Sequence, residues 1–252
     1  KPMVDFDSRS SPVVILLTSL VQDPSSLLHN FAPHSPIGSY HLQPAQAAPR
    51  TTATSQKSDI VLVVLESVGR RNLLSHLKQL PTLQGLMAGG EWFDQATVTV
   101  EESSRSNFAI TMSRNPLLGA VAETELLTKR RFTPFTSVLR SGGYPTHLFM
   151  SGDLGFEGVD TFLRHQGFCD MSDLHTIPCA THSKNDSPFW QYMSYVTDAC
   201  TFDAAANWIS ANRLPSFVMI WTGENHYPYS RTGRGTGSEA DYVAALQSTD
   251  AA

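Results

Sequence analysis

A run of six apolar residues, 60–65, ends abruptly at the acidic residue Glu66. Unbroken apolar runs of this length are typical of strands that are buried on both faces, as in parallel sheets covered by helices. Because such sheets place their sites at the carboxyl ends of the strands, Glu66 is a candidate ligand for a hard metal ion. The alternative is an ordinary acid that faces solvent or caps a turn. The run therefore predicts an α/β fold and leaves the role of Glu66 open.

A second stretch, residues 97–114, joins a β-branched run to a serine-rich segment that starts a helix. Ser103, Ser104 and Ser106 precede the apolar residues of this predicted helix, so all three are candidate N-cap residues. A helix N-terminus also offers unpaired N–H groups and a partial positive charge, which suit a phosphate or sulfate ester under attack by a hydroxyl. The two interpretations are a nucleophilic serine and a serine that only caps the helix.

Apolar spacing along the rest of the chain predicts alternating helices and strands, as in a parallel sheet. Helices are expected at 72–90 (two pieces, interrupted by a proline), 133–143, 156–168, 199–212 and 239–252. Strands are expected near 60–65, 92–100, 144–149 and 216–222. We therefore predict a three-layer α/β sandwich with a mostly parallel central sheet and a site at the carboxyl ends of its strands.

Composition predicts how the chain is divided. Residues 22–57 are rich in Pro, Ser, Ala, Thr and Gln with scarcely any charge, which is typical of an extended linker. We predict an N-terminal segment with this linker at 1–57 and a partial catalytic domain at 58–252.

The apolar run 12–20 is far shorter than the ~20 residues that cross a bilayer. The net charge of −5, with no run rich in Lys or Arg, argues against a nucleic-acid partner.

Taken together, the two stretches resemble the sulfatase-like branch of the alkaline phosphatase superfamily, most closely its lipoteichoic-acid-synthase-like and phosphoglycerol-transferase-like members. Residues 63–67, VVLES, match a family strand of the form V-x-L-E-S whose acid binds a metal, and the resemblance gives that role to Glu66. Residues 103–108, SSRSNF, match T-S-x-S-x-F, whose first residue is both nucleophile and metal ligand. The resemblance therefore makes Ser103 the catalytic residue, and it implies an alkaline-phosphatase-like fold.

A third motif follows the predicted strand 216–222. Residues 225–229, NHYPY, resemble the family's N-H-x-P-[FY] segment, in which the histidine contacts the phosphate or sulfate of the substrate. A lone histidine in a loop is usually a surface imidazole, but the resemblance gives His226 a substrate-binding role. An imidazole there can donate to a non-bridging oxygen or protonate a leaving group.

The sequence departs from the family at two points. True sulfatases carry C/S-x-P-S-R, whose first residue matures to formylglycine, whereas Arg105 and Asn107 stand at the proline and arginine positions here. The family's D-H-G segment, which supplies its remaining Asp and His ligands, does not occur in this sequence. We therefore expect the missing ligands and the rest of the sheet to lie beyond Ala252, and no formylglycine maturation.

The resemblance implies one divalent metal ion, with manganese first and magnesium, calcium or zinc as alternatives. The expected function is hydrolysis or transfer at sulfate or phosphate esters through a covalent Ser103 intermediate, although this fragment by itself is expected to be inactive. Its substrate would be a sulfated or phosphorylated glycan or lipid headgroup. The expected location is the extracytoplasmic face of the membrane, with an anchor formed by upstream helices outside this sequence.

Two rival functions remain. One is a catalytically degenerate module that keeps the fold and binds an anionic glycan or lipid headgroup. The other is an acyl serine hydrolase, a weaker hypothesis because the sequence contains no G-x-S-x-G elbow.

Several residues are weaker candidates. Ser151 and Asp153 lie in the MSGD segment after the predicted strand 144–149, where family analogy places substrate contacts, but Ser-Gly-Asp is equally good turn chemistry. His76 is expected on an exposed helix side with no metal role. In an extracytoplasmic domain Cys169 and Cys179 are candidates for a disulfide, which leaves a third cysteine, Cys200, expected to be buried at the start of a helix.

Overall fold

The computed structural model describes most of the predicted catalytic domain. The described residues are 58–93, 96–98, 100–116, 121–127, 130–166, 168, 170–183, 194–212, 215–229 and 235–252. The predicted N-terminal segment and linker, 1–57, lie outside this part of the chain. The domain boundary therefore stays a prediction.

The described residues form a mixed α/β structure. In chain order the strands are β1 (Ile60–Val64), β2 (Thr146–Met150), β3 (Asp170–Ser172), β4 (His182–Ser183), β5 (Ser194–Tyr195) and β6 (Phe217–Trp221). The α-helices are α1 (Arg70–His76), α2 (Pro81–Gly89), α3 (Ser103–Met112), α4 (Glu123–Leu126), α5 (Phe135–Ser141), α6 (Val159–His165), α7 (Asp198–Ala211) and α8 (Glu239–Ala251). Short 3-10 turns lie at Leu77–Gln79 and Phe156–Gly158.

The central sheet is parallel, as predicted, with the strand order β1-β6-β2-β3. In the register of the sheet Phe217, at the start of β6, lies opposite Ile60 on one side and Thr146 on the other. The carboxyl ends of β1, β2 and β6 therefore meet at one edge of the sheet, where α/β proteins place their sites. Strands β4 and β5 form a separate antiparallel pair.

Helices cover both faces of the sheet, because side chains of a strand alternate between its two faces. On β6, Phe217, Met219 and Trp221 pack into one core with side chains of α3 and α6, including the fully buried Phe162. Val218 and Ile220 face the other way and pack against α7. Burying side chains of this size contributes about 1.5–3 kcal/mol each. The predicted three-layer α/β class is confirmed.

One predicted strand is absent from the described residues, and one strand of the central sheet was not predicted. The described residues within 92–100 lie outside helices and strands, and Trp92, Phe93 and Val98 are exposed. Strand propensity depends on a partner strand and a packed face, and this stretch has the side chains without those contacts. The strand beside β2 is instead β3, which the sequence analysis missed because three residues are too few to show a period.

Strand β1 also differs from its prediction in burial. The sequence indicated a strand buried on both faces, but Val61 is 48% exposed and Ile60 and Val63 are each 39% exposed. The reason is that β1 is the outermost strand of the described sheet and has a neighbouring strand, β6, along only one of its two sides. Side chains facing the core, Leu62 and Val64, still pack against the buried cluster.

The disulfide joins Cys179 to Cys200, so the suggested pairing of Cys169 with Cys179 is wrong. Cys200 lies in the first turn of α7, which brings its sulfur next to the loop that follows β3. Cys169 is outside the described residues. Sequence spacing favoured the shorter loop, whereas the path of the chain brings the more distant pair together.

The remaining helix predictions agree with the structure, including the two pieces α1 and α2 on either side of the proline break. Helix α3 begins one residue earlier than a serine cap at Ser103 requires, because Glu102 is its N-cap residue and Ser103 its first helical residue. Ser106 instead donates from its side chain to the carbonyl oxygen of Val100 at 2.8 Å. That bond ties the helix to the segment that precedes it.

Candidate active site

Glu66 lies at the sheet edge, two residues beyond the end of β1. Its backbone N–H donates to Oγ1 of Thr222, just beyond β6, at 3.0 Å. The indole N–H of Trp221 donates to Oε2 of the Glu66 carboxylate. The next residue, Ser67, has a φ of 58°, so the chain turns sharply away from the strand. Thr222 therefore holds the backbone of Glu66 and Trp221 holds its carboxylate. The Glu66 side chain is only 12% exposed.

Ser103 begins helix α3 and meets Glu66 directly. Its hydroxyl donates to Oε1 of the Glu66 carboxylate at 2.9 Å, across a sequence separation of 37 residues. At this position the hydroxyl sits beside the unpaired N–H groups of the first helical turn. The arrangement gives a serine oxygen an anionic hydrogen-bond acceptor on one side and a partial positive charge on the other.

His226 follows β6 and lies on the other side of Glu66, with Nε2 3.9 Å from Oε1 of the carboxylate. Its Nδ1 lies 2.8 Å from the carbonyl oxygen of Tyr227. A carbonyl oxygen can only accept, so Nδ1 carries a proton and Nε2 is the nitrogen that faces Glu66. The backbone N–H of His226 donates to the carbonyl of Gly223 at 3.1 Å, which closes a tight turn.

A cavity of about 320 Å³ opens beside these three residues, and we call it the site cavity. Five carboxylates line it, and its described lining contains neither lysine nor arginine. The carboxylates belong to Glu66, Glu101, Glu102, Asp153 and Glu157. An anionic ester entering this cavity therefore needs positive charge from outside the lining, because side chains alone would repel it.

Glu102 shows how acidic the cavity wall is. Burial raises the pKa of the Glu102 carboxyl, and the hydrogen bond to Glu157 raises it further, against the opposing effect of Arg105. Nε of Arg105 lies 2.5 Å from Oε2 of Glu102. Neither Glu102 nor Glu157 was predicted as a site residue: Glu102 lies between the predicted strand 92–100 and the serines of the second stretch, and Glu157 belongs to no recognised motif.

The weaker candidates separate in the structure. Ser151 is fully buried and donates to Oδ1 of Asp198 at 2.8 Å, so it belongs to the interior and not to the cavity wall. Asp153 lines the site cavity. His76 lies elsewhere, with Nε2 3.9 Å from a carboxylate oxygen of Glu239 on α8.

A group of three side chains beside the cavity was not predicted as a set. Ligand atoms of Asp153, Asp173 and His175 lie within 4.8 Å of one another, a spacing that can hold a metal ion. The Asp173 carboxylate also accepts backbone N–H bonds from Leu154 at 3.2 Å and from His175 at 3.0 Å. Those bonds give the aspartate a local role in the turn after β3.

The donor atoms at Glu66 fit a divalent cation. A carboxylate oxygen and the Ser103 hydroxyl are 2.9 Å apart, and an imidazole nitrogen of His226 lies 3.9 Å from the same carboxylate. Magnesium and manganese prefer oxygen donors, and zinc also takes imidazole. The set is smaller than the six ligands usual for magnesium or the four usual for zinc.

Comparison with known proteins gives a consistent result. The sulfatase family model matches residues 58–251. The structure is similar to that of the lipoteichoic acid synthase LtaP from Listeria monocytogenes, with a TM-score of 0.60 and 19% identity over 77% of this chain and 50% of that one. Comparison with curated protein sequences found no match.

A protein in the alkaline phosphatase superfamily from Vibrio parahaemolyticus is similar as well, with a TM-score of 0.61 and 23% identity over 77% of this chain and 48% of that one. The chain thus spans about half the length of these two structures. At such identities the likeness concerns the fold, and it agrees with the alkaline-phosphatase-like class predicted above. Among the described helices, none has the length and apolar character needed to cross a membrane. The match over residues 58–251 shows that the chain belongs to the sulfatase family.

Proposed function

We propose that the protein is a metal-dependent hydrolase or transferase of sulfate or phosphate esters, with Ser103 as its nucleophile. The observation that carries the proposal is the 2.9 Å hydrogen bond from the Ser103 hydroxyl to Glu66, at the first turn of a helix and the carboxyl edge of the sheet. A hydroxyl that donates a hydrogen bond to a carboxylate has its proton directed to that carboxylate. Its lone pairs are then available to an electrophile.

Glu66 and Ser103 are the residues that would hold the metal ion. When bound, a divalent cation supplies the positive charge that the acidic cavity lacks and lowers the pKa of a coordinated hydroxyl. Manganese is our first choice, with magnesium, calcium and zinc as alternatives. Trp221 contributes by fixing the second carboxylate oxygen of Glu66.

The reaction follows from what the side chains can do. The Ser103 oxygen attacks the phosphorus or sulfur of the ester, the bond to the leaving alcohol breaks, and a phospho- or sulfo-serine remains. The Ser103 proton passes to the adjacent carboxylate. Water or an acceptor alcohol then cleaves the serine ester, which gives hydrolysis or transfer respectively.

His226 is the proposed substrate contact. With Nδ1 committed to the Tyr227 carbonyl, Nε2 is the atom that can reach a substrate oxygen in the cavity. A hydrogen bond from Nε2, or proton donation to the leaving alcohol, requires the doubly protonated ring.

Substrate and location are proposals of the same kind. We propose a sulfated or phosphorylated glycan or lipid headgroup as substrate. The protein would act on it at the extracytoplasmic face of the membrane, to which segments outside this sequence would anchor the protein. The disulfide between Cys179 and Cys200 supports an oxidising compartment. Nucleic acid is not proposed as a partner, because an acidic cavity and a net charge of −5 would repel it.

A second candidate function is a degenerate module that binds an anionic glycan or lipid headgroup without turnover. The small donor set around Glu66 is the observation that favours it. A binding module needs no complete coordination sphere, whereas a metal-activated nucleophile does.

Intact mass spectrometry separates the two functions. The full-length protein is incubated with manganese and aryl sulfate or aryl phosphate esters, quenched in acid and digested. A phosphate- or sulfate-sized adduct on the Ser103 peptide is expected, together with loss of that adduct in Ser103→Ala. The control is Ser106→Ala, because Ser106 lies on the same helix but donates to a backbone carbonyl. Binding of the esters without any adduct would favour the module.

A further inference from the structure

Asp198 is a fully buried carboxylate at the first position of helix α7. Its Oδ1 accepts hydrogen bonds from the Ser151 hydroxyl at 2.8 Å and from the backbone N–H of Gly223 at 2.7 Å. Its Oδ2 accepts from the Thr249 hydroxyl of α8 at 2.6 Å. The backbone N–H of Glu224 lies 3.4 Å from each of the two oxygens. One carboxylate thus joins the residue after β2, helices α7 and α8, and the loop after β6.

The loop after β6, residues 222–226, is held to α7 in both directions. While Asp198 accepts N–H groups of the loop, Oε1 of the buried Glu224 accepts the backbone N–H of Asp198 at 3.0 Å. A buried exchange of this kind leaves the loop few alternative conformations.

This loop carries groups of the proposed active site at both of its ends. Thr222, at its start, accepts the backbone N–H of Glu66. His226, at its end, directs Nε2 towards the Glu66 carboxylate. The bonds to Asp198 lie between these two points, at Gly223 and Glu224. Movement of the loop away from α7 would therefore move the imidazole away from the cavity.

We propose that Asp198 is a positioning residue for the reaction: it does not touch the substrate but sets the place of His226 by anchoring the 222–226 loop. This inference rests on the proposed function for its kinetic consequence, although the placement of the loop can be measured without turnover. Asp198 is not among the residues that line the site cavity, and its direct hydrogen bond to the lining is to the backbone N–H of Gly223 in this loop.

The test replaces Asp198 by asparagine in the whole chain. Asp198→Asn keeps the size and shape of the side chain. In either orientation, however, its N–H₂ group replaces an oxygen that faces a backbone N–H, that of Gly223 at Oδ1 or that of Glu224 at Oδ2, and a backbone N–H cannot accept a hydrogen bond. The matched control is Asp250→Asn, because Asp250 is also a buried aspartate that accepts backbone N–H groups, from Thr82 at 3.1 Å and Leu83 at 2.8 Å. Both variants therefore lose comparable bonds, and only one loses them at the loop.

The first measurement is a ¹H–¹³C NMR spectrum of the histidine rings, with the His226 signal assigned by its loss in His226→Ala. Asp198→Asn should shift the His226 signal, and Asp250→Asn should leave it in place. An unmoved signal in a folded Asp198→Asn variant would overturn the proposal. Should that variant fail to fold, Ser151→Ala removes one bond to Asp198 and should shift the same signal by a smaller amount.

The second measurement is a double-mutant cycle on kcat. Asp198→Asn should lower kcat about 10- to 100-fold, the range expected for small misplacements of a catalytic group. In a His226→Ala background the same change should have an effect of less than about twofold, because the group that it positions is gone. Equal losses in both backgrounds would reduce Asp198 to a structural role. No turnover in the unaltered full-length protein would refute the proposed function, and the NMR comparison would still decide the positioning role.

Discussion

The Ser103 hydroxyl donates to the Glu66 carboxylate at 2.9 Å although the two residues are 37 positions apart and belong to different elements. One stands at the start of helix α3, and the other follows strand β1. Trp221 of β6 holds the second carboxylate oxygen, and His226 approaches from the loop after the same strand. Three separate segments therefore meet at one carboxylate.

In the full-length protein, replacing Glu66 by alanine should abolish metal-dependent ester turnover while the fold is retained. The carboxylate lies at the strand tip and its bonds are to Ser103 and Trp221, so its removal takes a metal donor from the cavity without opening the core. Turnover with added manganese and circular dichroism check the two parts. The control is Glu91→Ala, an exposed glutamate outside the cavity lining. Full activity in Glu66→Ala would remove Glu66 from the metal role.

Replacing His226 by alanine should lower turnover by roughly 10²- to 10⁴-fold, the usual range for loss of an acid or base group. Bound metal should stay constant, because the proposed role is a substrate contact. His226→Gln should recover part of the activity if donation alone is needed, and little if a proton is transferred. Kinetics and metal analysis of each variant decide this, with His76→Ala as the remote control.

Two results would contradict the His226 assignment in different ways. Loss of bound metal from His226→Ala would make the histidine a metal ligand. Unaltered kinetics would return it to a surface histidine in a turn.

Residues 1–252 should bind divalent cations weakly, with dissociation constants larger than micromolar. The donors that meet at Glu66 in the described structure are two oxygens and one imidazole nitrogen, fewer than magnesium or zinc usually takes. Titration calorimetry with manganese, magnesium, calcium and zinc measures this directly. Micromolar binding of one cation would contradict the prediction, and Asp153→Asn would then show whether the group with Asp173 and His175 holds it.

Stability should fall as the pH drops from about 6.5 to 4, and His147 should account for part of the loss. Burial lowers the pKa of His147 to about 4 from a usual 6.5, against the opposing effect of Asp170. Acidification therefore protonates the unfolded chain first, which favours unfolding across that window. At 1.36 kcal/mol per pKa unit the loss approaches roughly 3 kcal/mol by pH 4.

The comparison for this prediction is His147→Phe, which keeps an aromatic ring against Phe149 but cannot titrate. Urea unfolding at pH 7 and pH 4.5 should show a smaller drop in the free energy of unfolding for His147→Phe than for the unaltered chain. His165→Phe, at the end of α6, is the control substitution, and its drop should equal that of the unaltered chain. Equal drops in all three proteins would mean that His147 does not contribute to the acid sensitivity.

Local sequence alone determined those parts of the protein that depend on short-range pattern. Apolar runs marked β1 and β6, and serines before an apolar helix marked the start of α3 within one residue. Family motifs on those same segments singled out Glu66, Ser103 and His226, which the structure brings to one place. Their proposed roles stay predictions. The meeting of Glu66 and His226 follows from the parallel sheet, because parallel strands end at a common edge, whereas Ser103 reaches the same place from the start of α3.

Only the tertiary structure decided which distant residues meet. The pairing of Cys179 with Cys200, the bond from Trp221 to Glu66 and the contacts of Asp198 join segments that no local pattern connects. The stretch 92–100 shows the converse case, since its strand-like residues find no partner strand among the described residues. Periodicity records whether a side chain is buried, whereas the identity of its neighbours depends on the path of the whole chain.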